Sequence, residues 1–127
     1  MKKSLLIDCL RMCKAHLPRH PEWESYKHYS VIIQSNQIIE WGTNRTAAPL
    51  IGYTNHSKFH SENAAYFRAR GLLERNKSFE VVNIRFNKQG DLKLSRPCIC
   101  CVSFLKFLGC SIVYFSTELG FAKLSLK

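Results

Sequence analysis

Two short stretches constrain this chain more than anything else in it. His60-Ser61-Glu62 carries an imidazole and a carboxylate two residues apart, and Pro97-Cys98-Ile99-Cys100-Cys101 carries thiols at Cys98 and Cys101, three apart. If the second stretch opens a helix, both sulfurs fall on one face of its first turn. His60 would then be the third ligand of a metal. Three protein ligands leave a tetrahedral zinc with one position open to water, which is the pattern of a catalytic rather than a structural site. Glu62 is close enough to face that water without binding the metal, as a proton shuttle must be. Between Glu62 and Pro97 lie 34 residues, room for the rest of a helix, a strand and a turn, so the fold has to carry the chain away and bring it back.

Composition narrows the setting. With 127 residues the chain is expected to form one domain spanning 1–127, large enough to bury a core. No run approaches the length of a membrane span, and the opening Met1 to Ile7 is interrupted at once by Asp8 and then Arg11, unlike a signal peptide. Of the six cysteines, Cys98, Cys100 and Cys101 crowd where metal ligands are wanted, so a disulfide scaffold is not expected and a reduced, cytoplasmic setting is. Lysine and arginine number 19 against 9 acids, a formal net charge of +10. That surplus favours phosphate-bearing partners, and by itself does not separate a free nucleotide from a polynucleotide.

Taken in order, Lys2 to Leu17 has Leu5, Leu6, Cys9, Leu10 and Cys13 at helical spacing, and Cys9 and Cys13 are read as packing. Two β-rich runs, 27–34 and 37–42, are joined by Ser35-Asn36 as a tight hairpin. A long polar loop through Lys58 follows, longer than any ordinary connection, which points to a binding role. Ser61 is a suitable cap for a helix running to Glu74 or Arg75, with Ala64, Ala65, Phe67, Leu72 and Leu73 inward. A strand over 78–86 and a turn over 87–91 lead back to Arg96-Pro97. Cys98 to Leu108 is apolar almost all round and reads as a buried helix closed by Gly109. A short apolar strand at 111–115 and an edge strand at 121–126 complete an α/β organisation with one mixed sheet.

The motif His60-Ser61-Glu62 followed by Pro97-Cys98-Ile99-Cys100-Cys101 resembles the signature of the cytidine and deoxycytidylate deaminase superfamily, H-x-E followed by P-C-x-x-C. The resemblance runs from about Tyr29 to Phe121 in order of elements. It implies a three-layer α/β/α sandwich with a central mixed five-stranded sheet, one catalytic Zn2+ held by His60, Cys98 and Cys101, and Glu62 as the catalytic acid and base. It further implies that Asn44, near the end of the second strand, contacts the substrate sugar, and that the backbone amide at Ser61 holds the base beside Pro97. Arg45 is placed to reach a phosphate. Ser61 departs from the alanine common at that position of the family.

The expected reaction is hydrolytic conversion of cytosine to uracil. Histidine at position 60, where free-nucleoside deaminases usually have cysteine, resembles deoxycytidylate, tRNA adenosine and polynucleotide cytosine deaminases. Tyr114, Phe115 and Phe121 bracket the loop that lies beside the neighbouring base in polynucleotide deaminases, and stacking with basic charge suits a single strand. Cytosine in single-stranded nucleic acid is therefore the favoured substrate, ahead of free dCMP, then adenosine in nucleic acid. A zinc-containing nucleic-acid-binding protein without turnover is the reading from outside the enzymes, and the retained Glu62 argues against it. No membrane partner is expected.

Overall fold

A computed structural model describes residues 1–17, 26–43, 45–46, 58–59 and 61–126. The first helix, α1 (Lys3–Ala15), starts and stops close to the expected limits. Strands β1 (Tyr26–Gln34) and β2 (Gln37–Thr43) form the expected antiparallel hairpin. Ser35 and Asn36 take φ of 53° and 60°, the left-handed pair that a two-residue hairpin turn matching the strand twist requires. Two-residue strands β3 (Arg45–Thr46) and β4 (Lys58–Phe59) pair with each other. Helix α2 (Ser61–Ala69), strand β5 (Phe79–Asn87), the short β6 (Leu92–Lys93), helix α3 (Ile99–Leu108), and strands β7 (Cys110–Thr117) and β8 (Gly120–Ser125) complete the chain.

The sheet runs β2-β1-β5-β7-β8, with β6 paired to β5 off this path. Among the described residues of this sheet only the β5–β7 pair is parallel, which needs the crossover that α3 supplies. The architecture is the expected α/β one with a mixed central sheet; the five-strand path gains a sixth, two-residue strand. Because side chains alternate along each strand, the two faces have separate cores. On one face Tyr29, Val31, Ile33, Val82, Ile84 and Phe86 pack with Cys9 and Cys13 of α1. On the other, Ile32, Val81 and Val113 pack with Ala65 and Ala69 of α2 and Leu105 of α3. Burial raises both α1 thiols to about 12, as befits packing residues. Among the described residues no helix is long and apolar enough to cross a membrane.

Two expectations for the helices are corrected. Helix α2 ends at Ala69 rather than Glu74 or Arg75. Gly71 lowers helix propensity there, and the amide of buried Gln34 takes the backbone of the following loop instead, accepting from Glu74 N–H at 2.8 Å and donating to the carbonyls of Glu74 and Lys77. Leu72 is consequently exposed. Helix α3 is not buried. Cys101 and Leu105 are its buried residues, while Ile99 and Phe107 are 84% and 87% exposed. A helix laid on one face of a sheet covers one stripe only, whatever the polarity of the others. Gly109 does close α3 in the left-handed conformation, φ 100°.

Candidate active site

Helix α2 approaches the sheet closely at Gly42. A Cβ there would stand 2.3 Å from the Ala65 backbone nitrogen and 2.9 Å from the Ala64 Cβ, so only glycine lets the helix lie this near β2. The approach presses the first turn of α2 into the sheet, where Ser61, Glu62 and Asn63 are all buried. A carboxylate so placed needs hydrogen bonds to offset lost water. Glu62 is 6% exposed and receives them on both oxygens: Ser61 Oγ lies 3.2 Å from Oε1, and Asn83 Nδ2 donates to Oε2 at 3.0 Å. Ser30 Oγ lies 2.8 Å from Ser61 Oγ and donates to Asn83 Oδ1 at 2.6 Å. Ser30 and Asn83 are directly opposite each other on β1 and β5.

The thiol stretch is set by a second group of serines. Ser95 Oγ donates to the Asn83 carbonyl at 2.9 Å and accepts from Ser116 N–H at 2.7 Å; Ser95 N–H donates to the Ser116 carbonyl at 2.9 Å. These bonds tie the residues before buried Pro97 to β5 and β7. Cys98 is then the N-cap of α3, with extended backbone, and its Sγ accepts from Cys101 N–H at 3.4 Å. The two sulfurs therefore share the first turn of a helix, as the spacing predicts.

The Cys101 thiol is pushed strongly upward, first by burial, then by the Glu62 carboxylate, then by Cys98 and Cys100. At Cys101 burial and negative neighbours outweigh the positive potential of the helix N-terminus. The Glu62 carboxylate thus lies within electrostatic reach of the Cys101 thiol, across the two halves of the motif. Such a set of donors suits a cation, which reverses the local preference and holds thiols deprotonated. Among the described residues no three histidine, cysteine, aspartate or glutamate side chains close into a metal site. The expected third ligand, His60, lies outside the described residues, as do Asn44 and most of the long loop.

The other expected contacts divide. Arg45 lies in β3, paired with Phe59 of β4. Ser61 opens α2, and buried Pro97 immediately precedes Cys98, the N-cap of α3. Phe115 shares the sheet face of Val113 and Asn83, under the Arg96 guanidinium at 5.8 Å from its ring. Tyr114 belongs to the core on the α1 face, where its hydroxyl meets the Met1 amino group at 3.3 Å, and Phe121 packs against the same core. The structure thus brings Ser61, Pro97 and Phe115 to the site's side of the sheet and sends Tyr114 and Phe121 to the other. Ser30, Asn83, Ser95 and Ser116 were missed. Their signal was polar residues standing inside apolar strands, as in Val81-Val82-Asn83-Ile84.

No protein-family model matches the chain, and no curated protein matches it. Solved structures do match. The dCMP deaminase from the cyanophage S-TIM5, in complex with dCMP and dUMP, superposes with a TM-score of 0.59 and 17% identity over 91% of this chain and 82% of that one. Cytidine deaminase from Burkholderia pseudomallei gives 0.65 and 16% over 99% and 94%. The enzyme from Mycobacterium tuberculosis gives 0.59 and 12% over 99% and 91%. The fold is cytidine deaminase-like.

Proposed function

We propose that this protein is a hydrolytic deaminase that converts cytosine to uracil at a zinc centre held by His60, Cys98 and Cys101. The observation that carries the reading is Glu62: a buried carboxylate, hydrogen-bonded on both oxygens and close enough to Cys101 to raise its thiol. A structural metal site has no use for such a group. Zinc bound there would supply water activated for attack at neutral pH. Glu62 takes the proton that this water loses, gives it to the ring nitrogen, and assists the departure of ammonia, so that cytosine and water become uracil and ammonia. Helix α2 and Asn83 keep the carboxylate fixed while it exchanges protons.

For the substrate, we propose a cytosine nucleotide carrying phosphate. The excess of basic residues and Arg45 beside the long loop suit phosphate, and the cyanophage enzyme is described with dCMP and dUMP. A single nucleotide is favoured over a strand because Tyr114 and Phe121 pack on the α1 face, leaving Phe115 as the aromatic of the three on the site's side. The net charge of +10 keeps single-stranded DNA as the second reading. Uracil formation from cytidine, dCMP and a cytosine-containing single-stranded oligonucleotide, measured in parallel, tests both. Conversion of dCMP with the oligonucleotide untouched is the expected result; conversion of the oligonucleotide alone selects the second reading, and conversion of none overturns the assignment.

A further inference from the structure

The cross-strand pair Ser30 and Asn83 stands where the sheet should be apolar. The next pair in register on the same face is Ile32 with Val81, part of the core under α2 and α3, and both polar side chains are buried, Ser30 completely. Polar groups at such a position destabilise the fold unless every one is bonded, and here the bonding has a direction. An ionised carboxylate only accepts, so the Asn83 amide must turn its Nδ2 to Glu62 and its Oδ1 away. Ser30 fixes that orientation by donating to Oδ1 at 2.6 Å. The remaining Nδ2 proton reaches the Ser95 carbonyl at 3.5 Å, two residues before Pro97. One amide thus touches the carboxylate at the start of α2 and the segment that delivers Cys98.

We infer that Asn83, oriented by Ser30, is the positioning residue that holds the Glu62 carboxylate against the thiol-bearing helix. The inference rests on the reading of Glu62 as the proton shuttle. A packing role alone is served better by apolar side chains such as the adjacent Ile32 and Val81 on that face, and aligning a proton-transfer group matters because small misplacements are amplified in rate. Asn83→Asp keeps size and replaces the amide donor with a second carboxyl group against Glu62; Asn83→Ala removes the whole amide; Ser30→Ala leaves Asn83 in place without its guide.

The test uses the full chain with metal content measured on every sample, kcat and KM for the substrate found above, and Glu62→Gln as control. Asn83→Asp and Asn83→Ala are expected to lower kcat by about 10- to 100-fold, up to the loss that a misplaced reacting group can cause, with KM changed less than about threefold and metal retained. Ser30→Ala lowers kcat less, in the same pattern. Added to Glu62→Gln, Asn83→Ala has no further effect, because it acts through the missing carboxylate. If folded, metal-loaded Asn83 and Ser30 variants keep wild-type kcat while Glu62→Gln is inactive, the inference is overturned and the role of Glu62 stands. A further loss on the Glu62→Gln background also overturns it, by showing a general structural role. Should wild-type protein convert no cytosine substrate, the reading of Glu62 falls and takes the inference with it.

Discussion

Helices α2 and α3 both present a first turn to the candidate site, yet they are held there differently. The first turn of α2 is buried entirely, pressed on β2 where Gly42 leaves no room for a side chain. The first turn of α3 is open to solvent at Cys98, Ile99 and Cys100 and anchored inward by Cys101 and Leu105. A carboxylate that exchanges protons has to be fixed from every side, whereas ligands to a metal are fixed in part by the metal itself. The contrast teaches that the polar network behind Glu62 is built by the protein alone, while in the proposed function the thiol pair would be completed by a cation.

The comparison predicts effects of graded size. Cys101→Ser should abolish both zinc binding and uracil formation, the latter by about 10³-fold or more, since the open site needs all three ligands; metal analysis alongside a turnover assay reads both. Retained zinc would mean that Cys101 only packs. Gly42→Ala attacks the α2 side. The new methyl meets backbone, not a flexible side chain, so urea unfolding should show a loss of about 1–3 kcal/mol or more. An unchanged midpoint would show that α2 is not clamped.

Thiol labelling separates the two regions chemically. In metal-stripped native protein, iodoacetamide is expected to label exposed Cys98 and Cys100, and zinc should protect Cys98. Cys9, Cys13 and Cys110 are buried with their thiols raised to about 12 and should stay unlabelled until denaturant is added. The smallest effect belongs to the outer face of α3: Phe107→Gln, at a side chain 87% exposed, should change stability by less than about 0.5 kcal/mol. A loss above that would show the face to be covered in solution.

Much of this was legible in the amino-acid order. The hairpin at Ser35-Asn36, the left-handed stop at Gly109 and the shared turn of Cys98 and Cys101 follow from local chemistry that tertiary contacts do not override. The length of α2 was not legible, because it depends on Gln34, distant in sequence, capturing the backbone of Glu74 and Lys77. Nor was the exposure of α3, since an apolar sequence does not say how much of it the sheet has room to cover. At the candidate site, the shared helix turn of Cys98 and Cys101 was readable from spacing, but the hydrogen-bonded support of Glu62 was not. Asn83 and Ser30 look like blemishes in good strands until register sets them opposite each other under the carboxylate.

The measurement that tests the account most directly is uracil release by Glu62→Gln beside wild type, with zinc determined on the same samples. The account predicts one zinc per chain in both and a fall in turnover of about 10³-fold or more in the variant, within the reach of a lost acid and base. Turnover that survives the substitution, or zinc that leaves with the carboxylate, would contradict it.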